Sequence, residues 1–516
     1  MERFRGLSPA EFFHRNKEIA GFSNPARALY QTVRELVENS LDATETHGIL
    51  PNIYVEVSLD PSDESKVTVT VADNGIGVPL HEVPNVFGRV FYGSKYVIRQ
   101  TRGVFGLGVK MAVLYAQMTT GKPIYVRTAP MGSKVEGEYY LLIDVGRNVP
   151  HVLKMRFRKK ERNRHGTVVR LTLEGAWALV KKRIEEYIRR TALITPYASI
   201  RYKTPEGEMI FKRVTRELPK PPERGLYHPR GVDIEILKEM LRSMNSNNVT
   251  LKEFLVKNFE SVGERTAEEF LRWAGFDPEL RIKDLRIQDL EILASKMKSY
   301  DKWRRPRSHT LSPLGAHLLE EGVKRILAPE FVAAVTRPPS SYSGHPFIVE
   351  VAVAYGGEIQ LQDTPMLLRF ANRMPLLYDE GVDVSRKVVD GIDWSVYKVK
   401  FPAPLAVVTH VCSTKIPFKG VGKEAIADVP EVERELEAAI RDAARKLRIH
   451  LVRMEKMLEV KRREVVYRKY LDEVVRSLSY ITLISEEELR RKFEELIARE
   501  LGRVSSDEEG GYSGAA

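Results

Sequence analysis

The sequence predicts a multidomain α+β protein. The chain has 516 residues, which is enough for three or four domains at about 150 residues each. Residues 52–60 and 66–72 alternate apolar and polar side chains with the period of two expected of β-strands, whereas residues 431–501 contain neither proline nor glycine and follow a helical pattern. Strands in one part of the chain and an uninterrupted helix in another predict separate folded units.

Composition narrows the class of protein. Hydrophobic residues make up 43% of the chain, enough for ordinary cores, and no apolar run reaches the roughly 18 residues of a membrane span. The N-terminus has no apolar signal-peptide core, and the single Cys412 cannot form an internal disulfide, so we expect a cytoplasmic protein. A net charge of +12 favours a polyanionic partner such as nucleic acid, although a mixed-charge solvated surface would also account for it.

Residues 23–48, "SNPARALYQTVRELVENSLDATETHG", predict an amphipathic helix with Ser23 and Asn24 as cap candidates and Pro25 in its first turn. Glu35 and Asn39 are four residues apart and therefore share a face beside the apolar stripe. A carboxylate and an amide oxygen pointing the same way could hold a water and a hard cation. An exposed polar face is the alternative.

Two antiparallel strands follow, "NIYVEVSLD" and "KVTVTVADNGIGV". The second ends at Asp73, Gly75 and Gly77. Asp73 could accept a hydrogen bond from an exocyclic amine, and the glycines would let a flat ring approach the backbone. A plain turn explains the same residues equally well.

A glycine-rich segment, "TRGVFGLGVKMAVLYAQM", leads into a helix predicted to begin near Val109. Backbone amides at such a turn form an anion site, and Lys110 adds a positive charge. No strand leads into this segment and the chain has no Walker-type motif, which excludes a dinucleotide-binding fingerprint and a P-loop.

Taken in order, Glu35-x-x-x-Asn39, Asp73-x-Gly75-x-Gly77, "GVFGLGVK" and "HGTVVRL" resemble the Bergerat (GHKL) ATP-binding fold shared by gyrase, the ninety-kilodalton heat-shock chaperone, histidine kinases and MutL. That fold is an α/β sandwich that binds nucleotide between a mixed sheet and a lid.

The resemblance implies ATP and Mg²⁺ as ligands and gives each residue a role. Glu35 would activate the attacking water, Asn39 would bind Mg²⁺, Asp73 would read the adenine amine, Gly77 would make room for the base and Thr167 would support the adenine contact. The phosphates would be wrapped by Ser94, Lys95, Gly103, Val104, Phe105, Gly106, Leu107, Gly108, Val109 and Lys110.

Glu38 is a rival for the catalytic base. It lies about 100° around the helix from Asn39, whereas Glu35 is nearly in line with Asn39, which favours Glu35. Glu38 and Asp42 are then expected to be structural or surface residues.

A second α/β region follows. "HPFIVEVAVAYGG", "PMLLRFANRMPLLYD" and "PLAVVTHVCSTK" predict strands, and "VSRKVVDGI" predicts a helix that makes a βαβ crossover. In relatives of the Bergerat fold, such a transducer domain donates a lysine to the γ-phosphate. Lys415, Lys419 and Lys423 are candidates, and Lys423 is preferred because it lies in a glycine-flanked loop before the next helix. Three solvated loop lysines are the alternative.

The remaining segments are helical. Residues 231–297 have a helical period, with turns predicted at "NSNN", "SVGER" and "GFDPE". Within them, "SVGERTAEEFL" resembles a helix–two-turns–helix module, which could bind a DNA phosphate or act as a spacer. The helix after Pro430 would reach about 70 Å over 45 residues, as a stalk or as a coiled-coil dimer helix. The final "GRVSSDEEGGYSGAA" is predicted to be disordered.

Over nearly its whole length the chain resembles the family of B subunits of archaeal DNA topoisomerase VI, through "RELVENSLDATETHGILPNI", "VFYGSKY", "TRGVFGLGVKMAVLYAQ" and "STKIPFKGVGKE". This implies the ATPase subunit of a type IIB topoisomerase that dimerises on ATP, acts on double-stranded DNA and joins two A subunits in an A2B2 heterotetramer. A MutL-like repair ATPase and a non-catalytic, nucleotide-dependent dimerisation scaffold are the alternatives. The expected domains are residues 1–225 (ATPase), 226–305 (helix–two-turns–helix), 306–475 (transducer with stalk) and 476–516 (C-terminal helix and tail).

Overall fold

The computed structural model describes residues 6–93, 98–103, 107–160, 163–244, 248–420 and 422–506. The chain divides into two compact units. One unit comprises residues 1–392 with 401–443, and the other comprises residues 393–400 with 444–516. Among the described helices, none is both long enough and apolar enough to cross a bilayer.

A mixed sheet forms the centre of the N-terminal region. Its strands are β1 (Asn52–Asp60), β2 (Asp63–Ala72), β3 (Ile124–Ala129), β4 (Val135–Asp144), β5 (Val149–Lys159), β6 (Gly166–Glu174), β7 (Ser199–Thr204) and β8 (Gly207–Phe211). They lie in the order β5-β4-β3-β6-β2-β1-β7-β8. The predicted antiparallel pairing of β1 with β2 is confirmed, and β1 pairs in parallel with β7.

Helices cover this sheet and complete the predicted α/β sandwich. They are α1 (Pro9–Arg15), α2 (Pro25–Glu45), α3 (Val83–Gly88), α4 (Gly108–Thr120) and α5 (Trp177–Ile194). Helix α2 begins as expected, because the Asn24 side chain accepts a hydrogen bond from the Arg27 amide at 2.9 Å. Its apolar stripe is buried, with Val33 and Val37 fully inside the core, so the polar side chains between them are held in fixed positions.

The helical segment that follows has its own core. It contains α6 (Ile234–Ser243), α7 (Leu251–Asn258), α8 (Glu264–Ala274) and α9 (Ile287–Ser299), and α10 (Ala316–Leu327) leads into the next domain. Phe254, Phe270 and Trp303 belong to one buried cluster, and a capping box between Thr250 and Glu253 starts α7. The predicted "NSNN" turn includes residues 245–247, which lie outside the described residues.

The transducer region is a second sheet. Its elements are β9 (Phe331–Thr336), β10 (Ser340–Tyr342), β11 (His345–Tyr355), β12 (Met366–Ala371), β13 (Met374–Leu376), α11 (Val384–Asp390) and β14 (Leu405–Ser413). Strands β12 and β14 pair in parallel with α11 between them, which confirms the βαβ crossover.

One strand prediction in this region was wrong. Residues 365–379 form the hairpin β12–β13 rather than a single strand. Asn372 and Arg373 have φ angles of 48° and 63°, so the chain turns back after Ala371 through two left-handed residues.

Helix α12 (Pro430–Thr482) has 53 residues and is about 80 Å long. The helix ends before Leu483, which has a φ of 59°, and α13 (Glu486–Ser506) follows. The expectation of a disordered tail from Gly502 was wrong for residues 502–506, which belong to α13; residues 507–516 lie outside the described residues.

Candidate active site

A cavity of about 1000 Å³ is bordered by α2, by the ends of β2 and β6, and by the first turn of α4. This volume is at the upper end of the roughly 300–1,000 Å³ found for small-molecule sites. Every predicted site residue that lies within the described residues lines it: Glu35, Asn39, Asp73, Gly77, Gly103, Leu107, Gly108, Val109, Lys110, Thr167 and Lys423.

Ser94, Lys95, Val104, Phe105 and Gly106 lie outside the described residues. Of the described residues that flank them in the sequence, Gly93, Gly103 and Leu107 line the cavity.

Asp73 is held by the strand ends around it. Its Oδ1 accepts hydrogen bonds from the amides of Gly75 at 2.8 Å and Thr167 at 3.1 Å, and its Oδ2 accepts one from the Ser40 hydroxyl at 3.2 Å. Burial raises the pKa of the Asp73 carboxyl to about 6, against the opposing effect of these donors. Oδ1 is therefore committed to the backbone, and Oδ2 is the oxygen suited to receive a ligand amine.

Glu35 and Asn39 lie one helical turn apart on the cavity side of α2, and both are partly exposed. The Glu35 Oε1 atom accepts a hydrogen bond from Gln31 at 3.1 Å. Gly108 packs directly on this carboxylate, since a Cβ at position 108 would lie 1.7 Å from Glu35 Oε2. With the Glu35 side chain in this position, the first turn of α4 leaves no room for a side chain at residue 108.

Gly77 lines the cavity, but its own surroundings already require glycine. Its φ is +72°, and a Cβ there would lie 2.7 Å from the Ala129 carbonyl oxygen. The geometry thus adds a packing reason for this glycine beside the predicted space for a base.

The three candidate lysines occupy different places. Lys423 lines the cavity, whereas Lys419 Nζ pairs with Asp428 at 3.2 Å and Lys415 is exposed. Lys423 has a φ of 55°, a left-handed conformation that is uncommon outside glycine. The loop after β14 therefore brings a transducer lysine to the same cavity as the N-terminal residues.

The rival carboxylates on α2 are tied to arginines. Glu38 is buried and accepts a hydrogen bond from Arg34 Nε at 2.8 Å, and burial raises its pKa despite that partner. Asp42 pairs with Arg102 at 2.9 Å while also lining the cavity.

Arg34 makes a second ion pair that the local sequence pattern did not reveal. Its Nη1 donates to Glu424 Oε1 at 2.8 Å. Position 34 falls within the apolar face of α2, and a charged residue at such a position is the one signal that pointed to a distant partner.

The lining fits a magnesium nucleotide. Oxygen donors from Glu35 and Asn39 suit a hard cation that retains water ligands. Lys110, Lys423 and Arg99 supply positive charge at the cavity wall, which suits a polyphosphate. Asp73 lies at the end of β2, beside the apolar Val71 and Val169 that also line the cavity.

Two family models match separate parts of the chain. A family model described as "Histidine kinase-, DNA gyrase B-, and HSP90-like ATPase" matches residues 24–176. A second, described as "Topoisomerase VI B subunit, transducer", matches residues 306–463.

Curated relatives named as B subunits of type 2 DNA topoisomerase 6 match almost the whole chain. The protein from Pyrobaculum aerophilum is 55% identical, with 97% of this chain and 95% of the relative covered. Those from Metallosphaera sedula and Saccharolobus shibatae are 48% and 46% identical, covering 97% and 98% of this chain and 94% and 96% of the relatives.

Proposed function

We propose that this chain, which belongs to the family of DNA topoisomerase VI B subunits, is the ATP-binding and ATP-hydrolysing subunit of a type IIB DNA topoisomerase. The observation that supports this most directly is the shared cavity. Residues of the N-terminal sandwich and Lys423 of the transducer line the same space, so one bound nucleotide could contact both domains.

We assign the adenine end of the cavity to Asp73. Oδ2 would accept a hydrogen bond from the exocyclic amine, while the Thr167 and Gly75 amides hold Oδ1. At the phosphate end, Glu35 would accept a proton from the attacking water as a general base. Asn39 would hold Mg²⁺, which supplies charge neutralisation on the phosphate oxygens.

Lys423 would connect the nucleotide state to the transducer. Its ammonium would pair with the γ-phosphate, and that contact is lost when hydrolysis removes the phosphate. Shifting a two-state gate from 1:99 to 99:1 requires about 5.5 kcal/mol of differential binding, which several charge-assisted phosphate contacts can provide. Helix α12 begins seven residues after Lys423, so displacement of this loop would act close to the start of the long helix.

Partners follow from the family. We propose that two copies dimerise on ATP in the cytoplasm and assemble with two A subunits, which hold the DNA-cleaving residues, into an A2B2 enzyme that passes one duplex through another. The net charge of +12 suits double-stranded DNA. The presence of Glu35 and Asn39 at the cavity favours hydrolysis over a scaffold that only binds nucleotide.

The test is ATP-dependent relaxation of a supercoiled plasmid by the full chain with its A-type partner. We expect relaxation with ATP and Mg²⁺, and none when either protein is omitted. Relaxation that proceeds equally without ATP would contradict the proposal.

A lysine pair tests the coupling. Lys423→Ala should reduce ATP turnover and relaxation about tenfold or more, because the positive charge that would stabilise the transferred phosphoryl group is lost. Lys419→Ala, in the same loop but paired with Asp428, should retain both activities. Equal losses in the two variants would remove the assignment of Lys423.

A further inference from the structure

A buried ion pair joins α2 to the loop after β14. Arg34 is 1% exposed and contacts two carboxylates, Glu38 at 2.8 Å and Glu424 at 2.8 Å, each 4% exposed at the side chain. Tyr187 adds a hydrogen bond from its hydroxyl to the Arg34 carbonyl oxygen at 3.4 Å. A buried guanidinium with two carboxylate partners has a fixed position, because water cannot replace either contact.

Each end of this pair is the chain neighbour of a site residue. Arg34 precedes Glu35 on α2, and Glu424 follows Lys423 in the loop. Consecutive Cα atoms are about 3.8 Å apart, so the Arg34–Glu424 contact links the backbone beside the candidate base to the backbone beside the candidate phosphate-binding lysine.

The transducer holds the same stretch of loop from its other side. Arg369 Nη1 donates to the Glu424 carbonyl oxygen at 3.2 Å and pairs with Asp383 at 3.1 Å. Asp383 Oδ2 in turn accepts a hydrogen bond from the Ile426 amide at 2.7 Å. Residues 424–426 are therefore anchored to the transducer, while the Glu424 side chain reaches the Arg34 guanidinium of α2.

Lys423 lies immediately before this anchor in a left-handed conformation, with a φ of 55°. A non-glycine residue keeps such a conformation only when its surroundings impose it. The adjacent Glu424, held through both its side chain and its carbonyl oxygen, is a sufficient cause.

We propose that Arg34 and Glu424 are positioning residues that align Lys423 with Glu35 for ATP hydrolysis. The inference rests on the proposed function, because it gives Lys423 and Glu35 their roles there. Among the described residues that line the cavity, neither Arg34 nor Glu424 appears, so each acts through its neighbour.

Glu424→Ala in the full-length chain is the primary variant. This substitution removes the ion pair between Arg34 and residue 424. Arg34 still pairs with Glu38, so we expect the variant to fold. ATP turnover should fall about tenfold while nucleotide affinity stays within about threefold, since the loss is in kcat rather than in binding. Glu424→Gln keeps an acceptor for Arg34 and should recover part of the turnover.

The Lys423→Ala background separates positioning from general destabilisation. If Glu424 acts through Lys423, adding Glu424→Ala to Lys423→Ala should cause no further loss, because residues that act as a unit are not additive.

Arg373→Met provides the matched control. Arg373 pairs with Glu45 of the same helix α2 at 3.3 Å, and it too belongs to the transducer and is buried. Arg373→Met should change ATP turnover by the same factor in the parent and in Lys423→Ala, because the free-energy effects of independent sites add.

The outcomes are distinct. The positioning role would be overturned if Glu424→Ala kept ATP turnover within about twofold of the parent. It would also be overturned if Glu424→Ala lowered turnover by the same factor in Lys423→Ala as in the parent. Neither result would affect the proposed function. Normal turnover by Lys423→Ala itself would overturn the role of Lys423 in the proposed function, and the inference with it.

Discussion

The two sides of helix α2 carry similar residue types in opposite surroundings. On the cavity side, Glu35 and Asn39 are partly exposed, and Gln31 hydrogen-bonds the carboxylate. On the other side, Glu38 is buried and ion-paired with Arg34. A carboxylate that a ligand can reach is suited to acid–base catalysis, whereas a carboxylate buried in an ion pair with a guanidinium is suited to fixing the positions of the elements it joins.

Substitution of Glu35 should have the largest effect on the cavity side. Glu35→Ala should lower ATP turnover by about 100-fold or more, because general-base catalysis contributes about 10²–10⁴. Nucleotide binding, measured by calorimetry, should persist, since Asp73 and the basic residues remain. Glu64→Ala removes an exposed carboxylate on β2 and serves as control; turnover by Glu35→Ala equal to this control would exclude Glu35 as the base.

Substitution of Arg34 should instead affect folding. Arg34→Met removes the buried guanidinium that pairs with both Glu38 and Glu424, which should cost about 3–5 kcal/mol of the free energy of unfolding. Denaturant titration measures this loss. Arg15→Met breaks the exposed pair with Glu11 and should cost much less; similar losses in both variants would mean that the buried pair has no special role.

Substitution of Asp73, the proposed adenine contact, should have a smaller effect than substitution of Glu35 or Arg34. In Asp73→Asn the amide oxygen would replace Oδ1 beside the Gly75 and Thr167 amides, and an NH₂ group would then face the ligand amine. Affinity for ADP should fall roughly 10–100-fold, because two hydrogen-bond donors, the side-chain NH₂ and the adenine amine, would then face each other. Purine riboside diphosphate, which lacks the amine, should lose little affinity; an equal loss for both ligands would contradict the assignment.

The smallest expected effect is on pH dependence. With a pKa of about 6, Asp73 takes up a proton as the pH falls through that value, and the ionised acceptor is lost. ADP affinity relative to purine riboside diphosphate should therefore decline about fourfold between pH 7.5 and 5.5. The ratio cancels titration of the shared phosphates, and a ratio that is constant or rises on acidification would exclude Asp73 as the amine acceptor.

Local patterns in the sequence predicted where the residues on the cavity side of α2 lie, but left open whether they form a binding site or an exposed polar face. Glu35 and Asn39 share a face by helical spacing, and Asp73 follows an alternating strand, so periodicity alone placed them beside an apolar core. Their roles came from the resemblance to a family and remain proposals. The hairpin at Asn372 and Arg373 was missed, because non-glycine residues rarely adopt the left-handed conformation that this turn requires.

The sequence by itself indicated most of the α+β elements, the βαβ crossover and the motif residues of the N-terminal domain that line the cavity, since each depends on neighbours within a few residues or on a contiguous motif. Only the tertiary structure decided which lysine reaches that cavity and which carboxylate lies beside Arg34. Arg34 and Glu424 are 390 residues apart in the chain. No local periodicity relates two such positions, and their ion pair forms only when the transducer packs against α2.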